Sequence, residues 1–178
     1  MLKAGAILAV ALGLYSTGEA QTAHFSGASL VVLDGAHRIR LPGIISPHSE
    51  HRIVHAVQRR GSDYYIVIGV SEWSRGYPPH SGYCGAGIES HIDWLHVRDG
   101  KVVKRQSGLY ESCLINRGDY WIEWKDGILC WNSKGLRHDD DANPPKFVWV
   151  NYTWKFDPAR PEKGIEESAE DEKSARGQ

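Results

Sequence analysis

Glu89, His91 and Asp93 stand at every second position, alternating with the apolar Ile88, Ile92 and Trp94. In an extended strand, side chains two apart share a face, so this spacing lines up two carboxylates and an imidazole. Such a row could hold a divalent cation, or supply a histidine oriented by a carboxylate for acid–base work. The same pattern is also that of the wet face of a half-buried antiparallel strand. If the chain is an enzyme, Glu89, His91 and Asp93 are its candidate catalytic residues, and the reaction expected is hydrolysis of envelope or glycan material.

The stretch Ser81-Gly82-Tyr83-Cys84-Gly85-Ala86-Gly87 places a thiol on a glycine-rich turn immediately before that row. As a nucleophile Cys84 is poorly served. Ala86 stands where the G-x-S-x-G elbow has its last glycine, and no helix follows to lower the thiol pKa. An exported chain matures in an oxidising compartment, so the three cysteines are expected to pair where they can. The expected disulfide is Cys84 with Cys113. Cys130, flanked by Leu129 and Trp131, is left as a small buried hydrophobe.

His51 and His55 have the spacing of the zincin H-E-x-x-H motif, but Arg52 occupies the place of the catalytic glutamate. Asp139-Asp140-Asp141 offers oxygen ligands without the spaced pattern of a calcium loop. No metal and no cofactor is therefore expected. Seven tryptophans are many for 178 residues, and Trp121 and Trp124 have opposite strand parity. One of the two should face away from the core. Exposed aromatic side chains on a β scaffold serve protein hot spots or sugar stacking. Trp121 and Trp124, with Tyr77 and Tyr83 on the long loop Arg75 to Gly87, are the candidate binding residues.

The elements that must carry these residues read as strands throughout. Asp34-Gly35, Gly61-Ser62, Asp99-Gly100, Arg117-Gly118 and Asp126-Gly127 separate short β-branched or aromatic runs, which is the hairpin signature. Tyr64, Ile66, Ile68 and Val70 alternate with Tyr65 and Val67, so this strand should be buried on both faces and central. Val148, Val150, Tyr152, Trp154 and Phe156 form the core face of a last strand, with Asn151, Thr153 and Lys155 on its wet face. Glu50 to Arg59 has partial helical spacing, yet its β-branched content favours a strand over at least its second half. The fold expected is all-β: an antiparallel meander of about ten strands forming a sandwich or up-and-down barrel.

Lys3 followed by the uncharged run Ala4 to Leu14 and small residues at Gly18 and Ala20 reads as a signal peptide over residues 1–20. The run is too short for a spanning helix, which needs about 20 apolar residues. A single all-β domain is expected over 21–156 and a solvated acidic tail over 157–178, a segment with prolines and one large aliphatic residue, Ile165. The net charge of −1 and the lack of a basic stripe argue against nucleic acid as a partner. These features together point to an exported protein, periplasmic or secreted, with a protein partner in the envelope or extracellular space. Inhibition or neutralisation of that partner, as by a hydrolase inhibitor or a toxin-immunity factor, is the function expected. The alternatives are the hydrolase above and a carbohydrate-binding module.

Overall fold

The computed structural model describes residues 21–47, 49–73, 88–112, 115–139 and 146–172 of the chain. Among these the elements are β1 (Thr22–Ser26), β2 (Ser29–Asp34), β3 (His37–Leu41), β4 (Ser49–Arg60), β5 (Asp63–Trp73), β6 (Ile88–Arg98), β7 (Lys101–Ser112), β8 (Arg117–Lys125), β9 (Ile128–Asp139), β10 (Lys146–Phe156) and β11 (Ile165–Asp171), with a 3-10 turn at Pro161–Lys163. The short turns follow from local chemistry. Asp99-Gly100 and Asp126-Gly127 both take positive φ, 49° and 70° in the first and 52° and 77° in the second. That is the conformation of a two-residue type I′ hairpin, which matches the twist of the strands it joins.

The strands form two sheets. β1, β2 and β3 make a three-stranded meander, and β4 to β11 make an eight-stranded one whose spatial order is the chain order. All pairings are antiparallel. The larger sheet folds over on itself. β7 and β8 share only the pair Ser112–Arg117. Beyond that corner, side chains on one face of β5 to β7 (Tyr65, Val67, Ile92, Trp94, Tyr110) meet Leu129, Trp131, Trp154 and Phe156 of β9 and β10 in a common core. A first layer, β4–β7, is thus packed on a second, β8–β11. The small sheet packs on the other side of the first layer, where Leu30, Val32 and Leu41 meet Ile66, Ile68, Leu95 and Val97. β5 is not central in the strand order, where it stands next to the end strand β4, but it is buried on both faces over residues 63–70 because it contributes to both cores.

Particular side chains fasten the layers. The Trp94 indole N–H donates to the Pro161 carbonyl at 2.9 Å, and the Ile165 backbone N–H donates to the Gln106 side-chain oxygen at 3.1 Å. At the corner the Arg117 guanidinium lies 3.6 Å over the Tyr152 ring and donates to the Leu109 carbonyl. Gly108 on β7 runs so close to the Trp154 indole that a Cβ there would lie 2.6 Å from it. Trp94, Trp131, Trp154 and Phe156 are almost wholly buried. Each contributes on the order of 2–3 kcal/mol relative to an exposed position. Asp34 ties the small sheet down, accepting from Arg59 Nη1 at 2.6 Å and from the Tyr64 hydroxyl at 2.7 Å.

Several expectations are corrected. The larger sheet does not close into a barrel: β4 and β11 are its two ends in the strand order. Arg117-Gly118 is not a turn but the start of β8, and the chain reverses at Ile115-Asn116 instead, with Asn116 at a φ of 50°. Part of the segment read as a solvated tail is an edge strand, β11, paired with β10 from Ile165–Phe156 to Asp171–Val150. Backbone ladder bonds need no apolar side chains, and Ile165 packs on the inner core. Its acidic residues find cations, with Arg137 at 2.8 Å from Asp171 and Lys134 at 3.2 Å from Glu172. The expected disulfide is withdrawn. No disulfide is present among the described residues, where Cys130 is a free, buried thiol, and Cys84 and Cys113 lie outside them. Residues 1–20, read as a signal peptide, also lie outside the described residues, and among those described no helix is long and apolar enough to cross a membrane.

Candidate functional site

Glu89, His91 and Asp93 do share one face of β6, but it is the face that also carries Leu95 and Val97 into the core beneath the small sheet. Asp93 is 0% exposed. Its carboxylate accepts from Arg105 Nε at 3.1 Å and Nη2 at 2.6 Å, and from the Ser107 hydroxyl, while His91 Nε2 lies 3.3 Å away. Burial pushes this carboxyl up, but the bonds from His91, Arg105 and Ser107 outweigh it and hold it below the usual carboxylate range. Arg105 extends the network by donating from Nη1 to the Ile44 carbonyl at 3.4 Å. Glu89 stands at the mouth of the row, opposite Glu72 of β5 and Ser112 of β7. His91, Arg105 and Glu72 border a polar cleft of about 370 Å³ closed on its other side by Gly43 to Pro47.

This arrangement positions rather than reacts. A hydroxyl nucleophile needs the imidazole between itself and the carboxylate. Here the Ser107 hydroxyl donates directly to Asp93, so His91 is not placed to take its proton. With an arginine fork and a hydroxyl already on it, Asp93 is an ionised acceptor that pins segment 42–47 to β7. Among the described residues no group of three histidine, cysteine or carboxylate side chains could hold a metal ion.

The two histidines of β4 are not joined either. A bulge at Val54/Ala56 turns His55 inward, edge-on to Trp131 at a ring separation of 5.1 Å, while His51 is exposed. Burial lowers the His55 pKa to about 4, and its buried Nε2 has no hydrogen-bond partner, so it is a neutral, half-buried side chain against the Trp131 ring. Cys130 lies in β9 between Leu129 and Trp131, and burial pushes its thiol up. That fits a packed hydrophobe and not a nucleophile.

The tryptophans give a different picture. Trp121 is 47% exposed and Trp124 57% exposed, so both members of the pair are accessible. Parity separates them. Trp124 pairs with Leu129, whose side chain enters the common core, whereas Trp121 pairs with Asn132 on the outer side. Tyr77 and Tyr83 lie outside the described residues. Sequence reasoning passed over Phe147 and Trp149, which are 66% and 48% exposed on β10. Their parity is that of Asn151, Thr153 and Lys155, the side already read as wet, so the signal was present. Apart from Leu33, Ile53 and Val103, every exposed large hydrophobic side chain among the described residues lies on β8, on β10 or in the turn before β8.

No family model, curated protein or solved structure matches the chain.

The outer face of the second layer is thus the surface with the means to bind. Trp121 on β8, Leu136 on β9 and Phe147 and Trp149 on β10 share it with Asn132, Lys134, Asn151 and Thr153. The small sheet covers the corresponding face of the first layer.

Proposed function

We propose that the protein acts by binding another protein through the outer face of β8 to β10, inhibiting or neutralising that partner in the envelope or outside the cell. The observation that carries this reading is the concentration of exposed aromatic side chains, Trp121, Phe147 and Trp149, on one side of one layer. Large rigid aromatics are the usual anchors of protein interfaces, and truncating an anchor commonly costs 2 kcal/mol or more. Export enters from the leader at residues 1–20. The hydrolase reading is weaker, because Asp93 is engaged by Arg105 and Ser107 in an order that leaves no activated nucleophile.

One observation favours a second reading. Asn132, Lys134, Asn151 and Thr153 lie on the same face as Trp121 and Trp149, a mixture of flat rings and hydrogen-bonding groups that also suits a saccharide. The two readings part in one experiment. The chain is used to capture partners from envelope and secreted fractions, and the captured protein is assayed for activity with and without it. The expected result is a captured activity that falls on binding, and a Trp121→Ala, Trp149→Ala double variant that binds at least about 30-fold more weakly. Tryptophan quenching by soluble oligosaccharides, with no captured protein whose activity changes, would transfer the function to sugar binding.

A further inference from the structure

β8 is counted inside the eight-stranded order, but most of it has only one neighbour. Its ladder with β7 is the single pair Ser112–Arg117, whereas its ladder with β9 runs from Arg117–Gly135 to Lys125–Ile128. From Tyr120 to Lys125 one backbone edge therefore has no ladder partner among the described residues. Both side-chain faces of that stretch are exposed, and it carries Tyr120, Trp121, Ile122 and Trp124. Open edges are normally blunted by inward charges, proline or bulges. Here a bulge sits only at the near end, between Gly118 and Trp121, with Asp119 at a φ of 47°. Among the described residues the remaining edge meets β7 only through the Tyr120 ring, which packs on Tyr110 at 4.8 Å, and it carries more large apolar side chains than charged ones.

Its sequence is self-complementary. Set two copies of Tyr120-Trp121-Ile122-Glu123-Trp124 antiparallel about Ile122, and Tyr120 faces Trp124 of the second copy while Ile122 faces Ile122. Trp121 then faces Glu123 of the second copy, an indole donor against a carboxylate. Within one strand that same pair is already 3.4 Å apart, Nε1 to Oε1. Neighbouring registers lose this match. Centring on Trp121 draws the bulge at Asp119 toward the ladder, and centring on Glu123 sets two glutamates face to face, a like-charge pairing that destabilises a sheet.

We infer that the chain forms a symmetric dimer by antiparallel pairing of β8 with β8 of a second copy, centred on Ile122. The twofold contact is isologous and closed, so it ends at two copies instead of growing into a fibre. It joins the two second layers into one eight-stranded sheet and places both outer aromatic faces side by side. This goes beyond the partner-binding reading and does not depend on it: Trp124, which the outer face does not use, is spent here on the self-contact. Two such faces in one particle would bind a repeated partner with a gain in avidity.

The test is sedimentation velocity of the full chain from about 1 to about 200 µM, a range that brackets the affinities of small interfaces. A concentration-dependent monomer–dimer equilibrium is expected. Ile122→Lys, which opposes two ammonium groups at the axis, should weaken it about 30-fold or more. Because Ile122 is exposed, the same variant should keep its melting temperature. The register is read by Ile122→Cys, which under mild oxidation should give a dimer whose mapped bridge joins position 122 to position 122. An exposed control on β7, Val103→Cys, should give none. A chain that stays monomeric over the whole range overturns the inference. So does a dimer that Ile122→Lys leaves intact and Ile122→Cys fails to bridge.

Discussion

At the scale of single residues, close approach and burial decide what each side chain can do. Gly108 lets β7 pass against the indole of Trp154, with Ile92 Cγ1 3.2 Å from the same point. Gly108→Ala must displace a buried ring that has nowhere to move, and should cost about 1–3 kcal/mol in a urea titration. His55 sets an acid limit. Its folded pKa is depressed to about 4 from 6.5, so the unfolded chain takes up the proton first. The stability that neutral His55 provides is complete above pH 6.5 and drains away as the pH falls toward 4. Thermal melts across that window should show His55→Leu losing less stability on acidification than the parent chain. The sequence alone gave the histidine but not its burial, because a bulge at Val54/Ala56 decides which way it points.

At the scale of elements, the Asp93 network shows how a row of polar residues becomes a fastening. Asp93→Asn weakens the charge-assisted bonds from Arg105 and leaves a buried amide against Ser107. With Arg105 partly in solvent, the expected cost is about 2 kcal/mol. Hydrogen exchange should also quicken at Ile45, since Arg105 then loses its grip on the Ile44 carbonyl. The strands themselves were legible. Two-residue turns at Asp99-Gly100 and Asp126-Gly127, the double burial of β5 and the core face of β10 all follow from periodicity and turn chemistry. β11 was not, because its partner is chosen by ladder bonds and by cations on β9, and no pattern internal to an acidic segment announces these. The shared face of Glu89, His91 and Asp93 was legible as well. That it lies under the small sheet was not, since alternation assigns residues to faces without saying which face is covered.

At the scale of the whole molecule, three layers follow from two facts: a short N-terminal sheet that covers one face, and a long meander that bends where Ser112 meets Arg117. Composition and turn spacing reached an all-β meander with the choice of sandwich or barrel still open. The bend depends on a corner where Arg117 stacks on Tyr152, a contact between residues 35 positions apart in sequence. The order of the large sheet has a kinetic consequence. Because spatial order repeats chain order from β4 to β11, each strand pairs with the one before it, and no strand waits for a distant partner. Loop-closure entropy, which slows most β proteins, is thus spread over a series of short closures. The contacts that span the chain, Trp94 to Pro161 and His55 to Trp131, form only when the finished ribbon folds over at its corner. Ladder contacts are therefore local in sequence, and the contacts that close the layers are the long-range ones.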